Sequence, residues 1–596
     1  MSHQDKLAGI LVLLGLALTA GSIAQPAPAD AMLTTLAEQS QFVRTGRYDE
    51  VERLCPAFAA RWPQQVRCFR FGTTPEGRPM IALAVSGDGA MSASRSRAQH
   101  RPVILFQGGI HAGEIDGKDA GFLALRELLE GSAARDSLKK VTLLFVPVFN
   151  IDGHERFGAW NRPNQIGPEQ MGWRTTAQNL NLNRDYTKAD APEMQAMLNL
   201  LNEWDPVVYV DMHVTDGANF EHDVSITVGP AEDGDAGVAK LAAGIRDAVN
   251  AKLSAQGSLP LAFYPSFEKD DDPASGFSLR PSQPRYSTGY WGLRNRVAIL
   301  LETHSWKDYA TRVRITHNFM VDLMELARDE ATEWQRIANA ADDAASHLAG
   351  STVPLDFENT KNGNLIDFRG YQYERTMSPV SGGLVTRYDT TKPAIWHVPL
   401  YLEVRSKLDI PAPHAGYIVP AAHAGWLAPK LRGHAIRFEV IGSARAATAV
   451  QSFRASKVTI AKETFESHVE MKVTGTWAAD TREVTAGSLF VPIAQPNARL
   501  VMALLEPQAP DSYVTWGFFN SAFELKEYAE PYVAEQMARE MLEKDPALKA
   551  EFVQKLGADP QFASDPKARL DFFYKRHASW DERMNLYPVY RVDSWK

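Results

Sequence analysis

His111 and Glu114 stand three residues apart in Gly109-Ile-His111-Ala-Gly-Glu114, and His213 and Glu302 each follow a short apolar run. On a turn that enters a helix, this spacing lets the imidazole and the carboxylate reach one ion. A His-x-x-Glu pair alone is commonly a surface pair. A second histidine at the end of a neighbouring strand turns the three residues into a metal set. Two His and one Glu leave the fourth position of a zinc ion open to water, which is the catalytic arrangement rather than the structural one. Zinc lowers the pKa of such a water toward ~7. A carboxylate outside the ligand set then takes the proton, and Glu302 fits that task.

These side chains need a scaffold that brings distant positions together. Residues 103–106, 141–146, 207–210 and 297–301 are apolar throughout. Helical spacing marks residues 115–129, 192–201, 235–253 (Asp235 as N-cap) and a long stretch from about 317 to 348. A hairpin is expected around Gly77-Arg78-Pro79, within residues 65–83. Apolar strands alternating with helices predict an α/β fold, a mixed and mostly parallel sheet sandwiched by helices. Such sheets bind ligands at the carboxyl ends of their strands. His111, Glu114, His213 and Glu302 all fall on that one edge.

Composition narrows the chemistry. The chain has 596 residues, 63 Lys+Arg against 72 Asp+Glu, and a formal net charge of −9. With no lysine-rich run, this argues against bulk nucleic-acid binding. A mean hydropathy of −0.27 and a single long apolar stretch exclude a polytopic membrane protein. Two cysteines exclude iron–sulfur clusters and zinc sites built on three or four thiolates, so a transition metal must be held mainly by His and carboxylate.

Lys6, the apolar run of residues 7–24 and the small-x-small end Ser22-Ile-Ala24 read as a signal peptide, residues 1–24. An uncleaved anchor is the alternative. A periplasmic or secreted protein follows, with no stable membrane insertion after cleavage. Cys55 and Cys68 are then expected to pair, since exported cysteines tend to do so, and two buried thiols are the alternative. The remaining organisation is a catalytic domain over 25–348, a linker over 349–364, a β-rich accessory region over 365–520 and a helical region over 521–596. Trp396, Tyr417, Trp426 and the run Trp516-Gly-Phe-Phe519 read as packing against the catalytic domain, with binding of a polymer or peptide as the alternative.

Over roughly residues 65–330 the chain resembles the zinc carboxypeptidases of the carboxypeptidase A type. The motifs are Gly109-Ile-His111-Ala-Gly-Glu114, Asn150-Ile-Asp-Gly153, Trp173-Arg174, Asn181-Leu-Asn183-Arg184-Asp185, Asp211-Met-His213 and Leu301-Glu302-Thr303. The resemblance implies one zinc ion per chain, held by His111, Glu114 and His213, with Glu302 as general base. It implies that Arg174 stabilises the oxyanion and that Asn183 and Arg184 grip the substrate's terminal carboxylate, a match for a guanidinium fork. The family usually reads Asn-Pro-Asp-Gly where this chain has Ile151. Its substrate-capping tyrosine lies on a mobile loop, for which Tyr286 is the first choice and Tyr290 the second, each closer to Glu302 than is usual. Arg280, Arg285 and Arg294 on that loop read as solvated charges, with selection of an acidic side chain as the alternative. His304 is left outside the site.

The expected function is an exported zinc metallocarboxypeptidase whose substrate is a peptide with a free C-terminal carboxylate. A rim from the β-rich region would favour short substrates. One alternative keeps the fold and changes the substrate: an amidohydrolase or deacylase of the aspartoacylase type, or a hydrolase of cell-wall stem peptides. Another is a catalytically inactive peptide-binding protein, which loss of His213 or Glu302 would have favoured.

Overall fold

The computed structural model describes residues 33–231, 233–279 and 281–595. The expected signal peptide and Arg280 lie outside the described residues. The first strands are β1 (Val66–Thr73), β2 (Pro79–Val85), β3 (Val103–Gly108), β4 (Thr142–Val146), β5 (Val208–Val214), β6 (Val224–Gly229), β7 (Pro260–Leu261), β8 (Phe277–Ser278) and β9 (Val297–Thr303). All but β8 form one sheet in the order β1-β2-β4-β3-β5-β9-β6-β7. Its centre, β4-β3-β5-β9, is parallel, while β1–β2, β2–β4 and β6–β9 are antiparallel. The sheet is therefore mixed, with the parallel core that the apolar runs predict. Every residue of β3, β4 and β5 is buried, because helices cover both faces.

The helix Ala236–Ala255 begins at Asp235, whose carboxylate accepts from the amides of Gly237 and Val238. The long helix starts at Tyr309 rather than near 317 and runs to Ser346. Asp308 caps it by accepting from the Thr311 amide at 2.7 Å. A disulfide joins Cys55, on the helix Tyr48–Arg61, to Cys68 on β1, with the Cα atoms 5.4 Å apart.

Residues 349–364, expected to be a linker, contain β10 (Thr352–Asn359), whose alternate residues Val353 and Leu355 are buried. Val353, Leu355 and Phe357 already carry the period of a strand. After it come β11 (Asn364–Met377), β12 (Leu384–Tyr401), β13 (Val404–Pro411), β14 (Gly416–Val419), β15 (Glu439–Val440), β16 (Arg445–Ile460), β17 (Met471–Val484), β18 (Leu489–Pro492) and β19 (Tyr590–Val592). β10 pairs with β13, and β11 with β12. The other six form a sheet in the order β15-β18-β14-β19-β16-β17. The last strand thus returns from beyond the C-terminal helices, so residues 521–596 are not wholly helical. Short β8 adds to β12 in parallel, which ties the accessory hairpin to the first domain.

One continuous apolar core runs from the first sheet through Tyr417, Leu431, Met471 and Val501. Tyr417 and Trp516 are fully buried, Trp396 nearly so, and Trp426 stacks on Phe518, as packing aromatics do. The C-terminal helices have their own small core around Phe552, Phe562 and Phe572. Among the described residues no helix is long and apolar enough to cross a membrane.

Candidate active site

His111 and Glu114 lie on the turn between β3 and the helix Asp116–Glu130. The chain leaves β3 through Gly109 at φ +62°, a conformation that favours glycine. Its carbonyl accepts from the Asn150 amide at 3.0 Å, which joins this turn to the loop after β4. Asn150 in turn caps the short helix Ile151–Glu155 and donates through Nδ2 to the Arg174 carbonyl at 3.1 Å. Ile151, where the resembling family carries proline, is buried in the core. His213 and Glu302 are register partners on β5 and β9.

His111, Glu114 and His213 are all buried, and their ligand-type atoms lie within 4.8 Å of one another. Glu114 Oε1 is 2.9 Å from His111 Nδ1, and its Oε2 is 2.9 Å from His213 Nδ1. The Val214 amide donates to Glu114 Oε2 at 3.0 Å. The far nitrogens also have neighbours. His111 Nε2 lies 3.2 Å from Asn181 Oδ1. His213 Nε2 lies 3.0 Å from Asp211 Oδ2, close but misaligned for a hydrogen bond. A hydrogen-bonded outer partner, as Asn181 is to His111, fixes the ring orientation of a metal-binding histidine. Two imidazoles and a carboxylate, backed in this way, fit a zinc ion. Glu302 strengthens the fit, because its buried Oε2 has no hydrogen-bond partner among the described residues. Burial pushes the Glu302 carboxyl up to about 8; His213 works against this, and Glu114, Asp216 and Asp211 add to it.

These groups open into a cavity of about 590 Å³ that also receives Arg162, Arg174, Asn183, Arg184 and Tyr286. The Arg184 guanidinium stacks over the Tyr286 ring at 4.7 Å. Asn183 sits on a short turn capped by Asn181, whose Oδ1 accepts from the Asn183 amide at 3.0 Å. The structure thus brings together His111, Glu114, Arg174, Asn183, Arg184, His213, Tyr286 and Glu302.

It does not bring Tyr290 with them. That ring is fully buried, and its hydroxyl lies 2.9 Å from His434 Nδ1, away from the cavity. One helical turn beyond Tyr286 faces the protein interior. His304 also stays outside, stacked on Phe220 at 4.1 Å. Arg285 and Arg294 are not solvated charges. Both are buried; Arg285 pairs with Asp511 at 2.7 Å, and Arg294 donates to Asn202 Oδ1 at 2.6 Å.

Three residues at the site had no role in the sequence reading. Arg162 pairs with Glu114 Oε1 at 2.7 Å, closer than Arg174 at 3.8 Å. Its aliphatic stem lies where a Cβ on Gly113 would fall, 2.6 Å from such an atom. No spacing rule connects positions 113 and 162. Asn181 and Asp211, which back the two histidines, stood inside quoted motifs and were legible as neighbours of the ligands.

Residues 51–256 match the family model described as zinc carboxypeptidase. Over that segment, less than half of the chain, the sequence is similar to this family. The chain is 26% identical over 163 residues to carboxypeptidase D of Drosophila melanogaster, covering 26% of this chain and 11% of that one. It is 27% identical over 155 residues to carboxypeptidase B of Helicoverpa zea, covering 23% and 35%. The chain therefore spans well under two thirds of the curated relatives it matches. Carboxypeptidase A of Helicoverpa armigera, a solved structure, aligns with a TM-score of 0.35 at 16% identity, over 52% of this chain and 80% of that one.

Proposed function

We propose that this chain is an exported zinc metallocarboxypeptidase that hydrolyses the C-terminal peptide bond of peptides. One observation carries the reading: Arg184, Asn183 and Tyr286 open into the same cavity as His111, Glu114, His213 and Glu302. His111, Glu114 and His213 would hold one zinc ion per chain. Zinc held there would bring the pKa of a water toward ~7 and polarise a carbonyl.

The chain's own residues do the rest. Glu302 takes the proton of the attacking water and delivers it to the leaving amine. Arg174 faces the charge that develops on the carbonyl oxygen. The Arg184 fork pairs with the terminal carboxylate, Asn183 hydrogen-bonds to it, and Tyr286 closes over it. Phe357 of β10 and Val404 of β13 contribute to the cavity wall, which supports a preference for short substrates. The Cys55–Cys68 disulfide supports an oxidising compartment, periplasmic or extracellular.

The test uses the full chain loaded with zinc. Metal content should be one zinc per chain. Peptides of increasing length, each with a free or amidated C-terminus, are followed by mass spectrometry. Release of single C-terminal residues from the free acids only, fastest for short peptides, is the expected result. Cleavage of N-acyl amino acids alone would replace this reading with the deacylase. No turnover despite binding would replace it with the inactive peptide-binding protein.

A further inference from the structure

The two segments that hold the proposed carboxylate clamp are both fastened by residues at least 144 positions further along the chain. The first is the Asn181–Asp190 segment. The Asn181 amide donates to Glu466 Oε2 at 2.9 Å, from the turn between β16 and β17. On the same segment Asp190 meets His468 at 2.7 Å and Lys430 at 3.0 Å. The Trp516 indole donates to Thr187 Oγ1 at 3.1 Å.

The second is the segment that carries Tyr286. The Arg285 amide and its Nε donate to the two oxygens of Asp511 at 2.6 and 2.7 Å. The Arg285 guanidinium also donates to Glu470 at 3.1 Å and lies over the Trp516 ring at 4.5 Å. Asp511 is fully buried, so this two-point pairing is shielded from solvent and strongly oriented. Tyr290, four residues on, is held by His434. The clamp residues themselves meet where Arg184 stacks on Tyr286.

We propose that the region after residue 350 is a working part of the active site: Asp511, acting through Arg285, positions Tyr286, and Glu466, acting through Asn181, positions Asn183 and Arg184. The inference rests on the carboxypeptidase reading for the identity of the ligand. In this chain Tyr286 is held in place before substrate arrives, and the terminal carboxylate meets a preformed clamp. Preformed geometry matters because a clamp that is already ordered binds its ligand without the cost of ordering its side chains and loop. The same contacts would be mere glue between two units if their removal changed stability alone.

The experiment compares wild type with full-length Glu466→Ala, Glu466→Gln and Asp511→Asn, all zinc-loaded. Measured are kcat and KM on a free-carboxyl dipeptide derivative, zinc content, melting temperature, and amide hydrogen exchange over residues 176–190 and 281–292. For Glu466→Ala the expected result is a KM about ten-fold higher, kcat within about two-fold, unchanged zinc and faster exchange in the first segment. Glu466→Gln, which keeps an acceptor oxygen, should recover most of the KM. Asp511→Asn should raise KM and speed exchange in the second segment. If it does not fold, Glu466→Ala still decides. A lower melting temperature with KM and exchange unchanged would overturn the proposal. If wild type cleaves no free-carboxyl peptide, the carboxypeptidase reading fails on that result, and the exchange data still decide whether the two segments are positioned from the accessory region.

Discussion

His213 and Glu302 occupy paired positions on the adjacent parallel strands β5 and β9. One is a candidate metal ligand and the other the candidate base, and the sheet's own register sets them side by side. Rigid strands hold such a pair more tightly than loops do. The base needs only to be near the metal set without joining it, and the neighbouring strand provides that offset.

Replacing Glu302 by glutamine keeps the shape and removes the proton acceptor. The variant should bind zinc as wild type does and lose roughly 100- to 10,000-fold in kcat, the usual weight of a general base. Metal analysis and steady-state kinetics on a free-carboxyl peptide check this. Turnover within ten-fold of wild type would remove Glu302 from the role.

Arg184 should discriminate the free carboxylate from the amide. Hydrogen bonds to a charged group are worth about 1.5–3 kcal/mol, so Arg184→Ala should lose roughly 10- to 100-fold in kcat/KM on free-carboxyl peptides. Arg184→Lys should recover only part, because an ammonium offers a charge but no fork. Equal losses on free and amidated peptides would assign Arg184 elsewhere.

Gly113 has a steric test. A Cβ there would sit 2.6 Å from Arg162 Cγ and 2.7 Å from the Gly172 carbonyl oxygen. The side chain can yield, but the carbonyl is backbone. Gly113→Ala should therefore destabilise the protein by about 1–3 kcal/mol, the usual cost of overpacking. It should also weaken zinc affinity about 10- to 100-fold by shifting the Arg162 support of Glu114. Denaturant unfolding and a zinc competition titration measure the two effects.

His434 should make the fold acid-sensitive. Burial first, then Lys430 and Arg294, push it down to about 3, and its ring bridges the Tyr290 hydroxyl and the Thr187 carbonyl. A histidine with a depressed folded pKa contributes stability that is present above its unfolded value of ~6.5 and is lost as the pH falls toward 3. From pH 7.5 to 5.0 the His434 contribution to that loss is about 2 kcal/mol. Metal-free His434→Asn, which does not titrate, should show a correspondingly smaller pH dependence in denaturant unfolding. Identical pH dependence for the two proteins would refute this origin.

Much of the first domain was legible because its signals are local. The runs at 103–106, 141–146, 207–210 and 297–301 are strands in the structure, and Asp235 caps the helix it was expected to cap. The start of the long helix was missed by the distance from 317 to Asp308, since one capping carboxylate is a weaker signal than a periodic face. The stretch 349–364 was misjudged because its Pro, Asn and Gly residues obscured the alternation of Val353, Leu355 and Phe357. Arg285 and Arg294 looked like solvated charges, as loop arginines usually are. Asp511 and Asn202 that bury them lie 226 and 92 positions away.

By itself the sequence determined the candidate metal set, the candidate base and the sheet edge that gathers them. Residue type and strand-end position carry that information, and both are written along the chain. Only the tertiary structure decided which tyrosine faces the cavity, that Arg162 reaches Glu114 across Gly113, and that the chain after residue 350 grips the Arg184 and Tyr286 segments. Those facts depend on which distant surfaces pack together, and packing is settled by shape and charge complementarity across the fold, which no local spacing records.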